Sequence, residues 1–162
     1  MIIAILSVKN EEWIIRRNLI TLDRICDKIL IKLDNCNDST AEICKSFKKV
    51  ITIAESNTET GNLIKEENRR QVLLEKAREI TKNPILISVD ADEIFSSEIL
   101  NPEYFDQIKN LEPGEGFTCS FKELWFSNNY YRGEAKSEWA GRKLPCIWRD
   151  NFTNYLSGNR HE

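Results

Sequence analysis

The chain has no C-x-x-C pair, one histidine, no run of like charge and no apolar stretch long enough to cross a bilayer. Each absence closes off a class of function. Five cysteines, Cys26, Cys36, Cys44, Cys119 and Cys146, form an odd set without metal-ligand spacing. That argues against a zinc site and against a disulfide framework, so reduced and mostly structural thiols are expected. A nucleophilic cysteine wants a histidine partner, and the one histidine, His161, has another role open to it. The formal charge of −3 is mixed in sign along the chain. With no basic stripe or polybasic segment, no nucleic-acid partner is expected, and phosphate binding must be local. Ile2 to Leu6 is too short for a spanning helix and lacks the basic start of a signal peptide, which points to a cytoplasmic chain.

What is present fits one α/β domain over 1–162. With 162 residues, 41% of them apolar and 30% charged, the chain can bury a real core. No repeat or Pro/Gly-rich linker divides it, although its character changes near residue 95, which separates a half over 1–95 from a half over 96–162. Short β-branched runs at Ile2 to Leu6, Ile29 to Leu33, Val50 to Ala54 and Ile85 to Val89 read as strands buried on both faces. Between them, Glu11 to Leu22 reads as a helix capped by Asn10, with Ile15, Leu19 and Leu22 inward. Ser39-Thr40-Ala41-Glu42 fits a capping box opening a second helix that buries Ile43 and Phe47. A third runs from Asn62 to Lys82, with Leu73, Ala77 and Ile80 inward and Pro84 after it. This βαβαβαβ order implies a mostly parallel sheet with right-handed crossovers.

Beyond residue 95, Glu98 to Leu111 predicts one or two short helices closed by Pro113-Gly114. Phe117, Cys119 and Phe121 alternate with polar residues, as in an antiparallel or edge strand. Leu124 to Arg132 is aromatic-rich, suiting either a core or a ligand platform. Leu144 to Trp148 and Phe152 to Leu156 read as a hairpin.

Three strand ends should meet at one crevice: Ser7 to Glu11, Leu33 to Asp38, and Asp90-Ala91-Asp92-Glu93. Ligands collect outside the carboxyl edges of such sheets. Hard divalent cations take carboxylates together with substrate phosphates, so Asp90 and Asp92 suggest a nucleotide-diphosphate site holding Mn²⁺ or Mg²⁺. Asp34 suits a hydrogen bond from a base or ribose, whereas Asp38 is read as a turn-shaping cap. Arg69 and Arg70, early in the third helix, offer a bidentate fork for pyrophosphate.

Taken in order, Ile2-Ile3-Ala4-Ile5-Leu6-Ser7-Val8-Lys9-Asn10-Glu11-Glu12, Asp34 with Asp38-Ser39-Thr40, Arg70-x-x-x-Leu74-x-x-Ala77 and Asp90-Ala91-Asp92-Glu93 resemble glycosyltransferase family 2. The endings Pro145-Cys146-Ile147-Trp148-Arg149 and Gly158-Asn159-Arg160-His161-Glu162 resemble its branch related to lipopolysaccharide-core enzymes. The resemblance implies the three-layer nucleotide-diphospho-sugar transferase (GT-A) fold, with a mostly parallel mixed sheet. It assigns Val8, Asn10, Glu11, Asp34, Arg70 and Asp90 to the nucleotide donor, and Asp92, Asp90 and His161 to the metal or pyrophosphate. Glu162, or else Glu93, would be the base that takes the acceptor proton. The donor half is then 1–95 and the acceptor side 96–162. Inverting transfer from a nucleotide-diphospho-sugar to a saccharide or lipid-linked acceptor follows, with room for peripheral contact at the inner face of a membrane.

The sequence departs from the family at Gln71, in a shorter turn after Asp34, and at Cys36 and Asn37. Relatives continue past the His-Glu pair, so truncation at the acceptor side is also expected. Two other readings compete. Nucleotidyl transfer on the same fold would want a glycine-rich basic loop after the first strand, which Ser7-Val8-Lys9-Asn10 is not. A non-catalytic domain would bind nucleotide, or a protein through Trp125 to Tyr131.

Overall fold

Alternation along the first strand, β1 (Ile2–Val8), sets the layers. Ile2, Ala4, Leu6 and Val8 point to one side of the sheet and Ile3 and Ile5 to the other, and all six are buried. The computed structural model describes residues 1–53, 66–125, 127–131 and 143–152. After β1 come α1 (Ile15–Ile25), β2 (Lys28–Leu33), α2 (Thr40–Lys45), β3 (Val50–Ile53), α3 (Glu66–Ile80) and β4 (Ile85–Ser88). A 3₁₀ turn (Ser97–Leu100), α4 (Pro102–Lys109), β5 (Gly116–Ser120), β6 (Leu124–Trp125), β7 (Ser127–Tyr131) and β8 (Lys143–Arg149) follow.

The main sheet has the order β3-β2-β1-β4-β8-β5, and β6 with β7 forms a separate two-stranded sheet. Strands β3, β2, β1 and β4 are parallel, β8 runs antiparallel to β4, and β5 runs antiparallel to β8. Helices α1 and α4 contribute to the larger core with Ile15, Leu19, Leu22 and Ile108, while α3 lays Leu73, Leu74 and Ala77 on the opposite face. This mixed, mostly parallel three-layer α/β architecture is the one the sequence implies. Among the described residues no helix is long and apolar enough to cross a membrane.

Several local expectations are corrected. Helix α1 begins at Ile15 without a side-chain cap, because Asn10 takes a positive φ of 52° and its Oδ1 accepts the Asn37 N–H instead. Ser39 makes no capping hydrogen bond; Asp38 does the capping, accepting the Thr40 N–H at 3.0 Å. In α2 the fully buried apolar residue is Cys44, with Ile43 and Phe47 only partly covered. In α3, Leu74 is buried whereas Ile80 is 39% exposed. Two short helical pieces do occupy 97–109, and β5 is an edge strand as its alternation predicts. The expected terminal hairpin is corrected in one arm: β8 inserts between β4 and β5, while 153–156 lies outside the described residues.

The largest correction concerns the cysteines. Cys119 and Cys146 form a disulfide with a Cα–Cα distance of 6.1 Å, leaving Cys26, Cys36 and Cys44 free. Spacing of 27 residues gave no hint of it; the adjacency of β5 and β8 brings the two together. At the other margin of the molecule, Arg78 Nε and Nη2 donate to Asp150 Oδ2 and Oδ1, each at 2.8 Å. This fork ties α3 to the end of β8 and matches the nearly complete burial of Asp150.

Candidate functional site

The carboxyl ends of β2, β1 and β4 lie side by side, so the three predicted strand-end segments share one edge. The loops after β1 and β2 are laced together. The Glu11 N–H donates to Thr40 Oγ1 (2.8 Å) and the Glu12 N–H to Asp38 Oδ2 (3.2 Å), while the Ser39 N–H returns to Glu12 Oε2 (2.9 Å). Desolvation, the largest single influence, acts to raise the Asp38 carboxyl, but the hydrogen bonds from Thr40 and Glu12 together outweigh it and hold the group below its usual value. Val8 is a core side chain whose carbonyl accepts the Asp34 N–H at 2.9 Å and the Cys36 thiol at 3.5 Å. Glu11 Oε2 accepts from the Trp13 indole at 2.9 Å.

Asp34 is the unusual member. It is only 5% exposed, and both of its cationic partners meet the same oxygen. Arg69 Nη2 stands 2.7 Å and Lys9 Nζ 3.5 Å from Oδ2. Oδ1 accepts no hydrogen bond from the described residues, and it is not sealed in either. A nearly buried carboxylate with one oxygen neutralised and the other open is arranged to accept a ligand N–H.

Two strands away, Arg70 Nη2 pairs with Asp90 Oδ1 at 2.8 Å and Nη1 donates to Ser88 Oγ at 3.1 Å. Arg70 and Asp90 therefore meet, although the sequence assigned them to different parts of a ligand. The acidic turn is held from below by Asn18, a buried residue of α1. Its Nδ2 donates to the carbonyls of Asp90 (2.9 Å), Ala91 (3.1 Å) and Glu93 (2.9 Å). Glu93 Oε2 accepts the Asp90 N–H at 2.8 Å. Burial pushes the Glu93 carboxyl above its usual value; the Asp90 N–H opposes this, and the neighbouring charges of Asp90 and Asp92 add to it. Asp92 is exposed and has no ion pair among the described residues.

Among the described residues no three metal-ligating side chains come together. Asp90, whose Oδ1 already meets Arg70, and the exposed Asp92 are the carboxylates this turn offers, and a cation bound by one or two carboxylates would need ligand phosphates and water to complete its shell. The two do not make an all-protein cage. His161 and Glu162 lie outside the described residues, as do the side chains of Trp125 and Tyr130. Sequence reasoning missed Asn18, the Arg69 and Lys9 pairing to Asp34, and Lys32. The available signal for Asn18 was a polar residue within the buried stripe Ile15, Leu19, Leu22. For Lys32 it was a charge inside the apolar run of β2.

No family model matches the sequence, and no curated protein matches it. Solved structures do. A crystal structure of 4-diphosphocytidyl-2C-methyl-D-erythritol synthase superposes with a TM-score of 0.60 at 12% identity, over 96% of this chain and 81% of that one. The same synthase from Anaerococcus prevotii DSM 20548 gives 0.47 at 12% identity, over 92% and 70%. The first likeness places this chain in the α/β fold shared with that synthase.

Proposed function

We propose that this chain is a nucleotide-binding transferase whose ligand lies across the ends of β2, β1 and β4, with the nucleoside at Asp34 and the diphosphate toward Asp90 and Asp92. The observation that carries the reading is the Asp34 carboxylate, nearly buried, neutralised on one oxygen and open on the other. Asp34 and Asp90 follow strands two places apart in the sheet, about 9–10 Å at the usual strand spacing. A nucleoside diphosphate bridges that gap from base to phosphates. Arg70, already against Asp90, is within reach of a phosphate placed there.

The reaction we propose is glycosyl transfer from a nucleotide-diphospho-sugar to a hydroxyl of a saccharide or lipid-linked acceptor. The bond from the anomeric carbon to the diphosphate breaks as the acceptor oxygen bonds that carbon, and a carboxylate takes the acceptor proton. Glu93 is committed to the Asp90 N–H, which leaves Glu162 as the proposed base. A divalent cation held by Asp92 and Asp90 would supply positive charge to the departing diphosphate.

A second reading is nucleotidyl transfer, favoured by the fold likeness to a synthase whose product name carries a diphosphocytidyl group. That chemistry wants free backbone donors after β1 to cradle a triphosphate. Here the N–H groups of Glu11 and Glu12 are already given to Thr40 and Asp38, which limits the donors that loop offers, whereas the fold likeness supports this second reading better than the first. Product analysis decides between them. Free nucleoside diphosphate released from a nucleotide sugar supports glycosyl transfer. Pyrophosphate released from a nucleoside triphosphate and a sugar phosphate supports the second, and neither product would leave a binding domain.

A further inference from the structure

Lys32 is a charged residue near the carboxyl end of β2, inside the sheet, and nothing among the described residues accounts for it. It is 6% exposed, yet no carboxylate among those residues lies within ion-pair distance and no acceptor within hydrogen-bond distance. An ammonium largely withdrawn from water gains from an acceptor, and the described residues supply none. The group is reachable. Arg149 Nε is the sole fully enclosed side-chain nitrogen or oxygen without a hydrogen bond among the described residues, so the stem of Lys32 is covered while its tip touches accessible space.

Its place in the sheet says where that tip works. Leu30, Lys32 and Asp34 alternate onto one face of β2, the face that α3 covers through Leu30 and from which Arg69 reaches Asp34. Lys32 stands opposite Ser7 on β1 and Ile53 on β3. It is thus two residues below Asp34 on the same side, about 6.6 Å along the strand. Asp90 and Asp92 follow β4, on the far side of β1, so Lys32 belongs to the nucleoside end of the proposed site.

We propose that Lys32 is a specificity-determining ligand contact, its ammonium donating to the carbonyl oxygen of a lactam nucleobase whose ring N–H is accepted by Asp34 Oδ1. This rests on the nucleotide reading above and deepens it. An acceptor with a cationic donor beside it complements an adjacent N–H and C=O. Uracil and guanine present that pair. Cytosine has a ring nitrogen lone pair instead of the N–H, and adenine has no carbonyl at all.

The test is the dissociation constants of UDP, GDP, CDP and ADP, measured by calorimetry with Mn²⁺ present, for the unaltered chain and for Lys32→Met. The expected result is UDP or GDP binding at least about tenfold tighter than CDP and ADP, the size of one hydrogen bond to a charged group. Lys32→Met should cancel about tenfold of that preference while leaving ADP unchanged. Lys32→Gln, which keeps a neutral donor, should lose less, and it secures the test if the thioether disturbs folding. An equal loss for UDP and ADP would place Lys32 on the phosphates and overturn the proposal. Unchanged binding of all four would reduce Lys32 to a packing residue. If the unaltered chain bound no nucleotide, the underlying reading would fail as well, an outcome distinct from binding without base preference.

Discussion

Asn18 and Asp90 stand 72 residues apart in the chain, and the Asn18 side-chain amide donates to the Asp90 carbonyl at 2.9 Å. With its bonds to Ala91 and Glu93, this amide fixes the backbone of the acidic turn from inside the core. The carboxylates of Asp90 and Asp92 are therefore positioned by a residue that touches neither of them.

Replacing Asn18 with leucine should destabilise the fold by about 2–4 kcal/mol, because buried carbonyls lose their donor. Urea denaturation measures it. Metal-dependent nucleotide binding should weaken further than the stability loss explains. A variant as stable as the parent would mean that the turn finds other donors.

Asp92→Ala should behave in the opposite way. An exposed strand-end carboxylate without an ion pair holds no core together, so stability should stay within about 0.5 kcal/mol. Stabilisation by nucleotide with Mn²⁺ should vanish, as seen in thermal midpoints, since a ligand that binds only the folded state raises the midpoint. Unchanged metal dependence would remove Asp92 from the site.

Glu93 gives a pH prediction. Its carboxyl is raised in the fold above the ordinary 4.5, chiefly by burial. A raised carboxyl favours the fold while protonated, so its contribution is full below pH 4.5 and is lost as pH rises through the folded value. Glu93→Gln keeps an acceptor for the Asp90 N–H without the charge. Its stability relative to the parent should therefore improve between about pH 4 and pH 7. Denaturation at both values tests this, and a difference independent of pH would contradict it.

The disulfide predicts three titratable thiols, not five, in the unreduced denatured chain. Reduction should cost about 2–4 kcal/mol, the usual effect of opening a loop of this size. Five thiols would show that Cys119 and Cys146 remain apart.

The strand pattern was legible because it is local. Each of the first four strands is a β-branched run whose odd and even residues face different layers, and in β1 the even residues join one core and Ile3 and Ile5 the other. The strand-end convergence of Asp34 and Asp90 follows from the parallel order alone. Long-range side-chain choices were not legible. Asn10 looked like a helix cap, but it serves Asn37 across the crevice. Ser39 looked like a cap too, and Asp38 does that work. Arg69 and Arg70 are neighbours in α3, yet the helix turns one toward Asp34 and the other toward Asp90, a division that repeating spacing does not announce. Cys119 and Cys146 were read as free thiols because their pairing depends on where β8 inserts.

That insertion has a consequence for how the molecule is built. Among the described residues of the main sheet β5 pairs only with β8, and β8 only with β4 and β5. The outer edge of β4 therefore stays open, and β5 has no place in the sheet, until residues 143–149 arrive. The expected order of assembly is a four-stranded parallel core followed by one cooperative closing step. Pulse-labelled hydrogen exchange should record it as simultaneous protection of β5 and β8, later than β1 and β2.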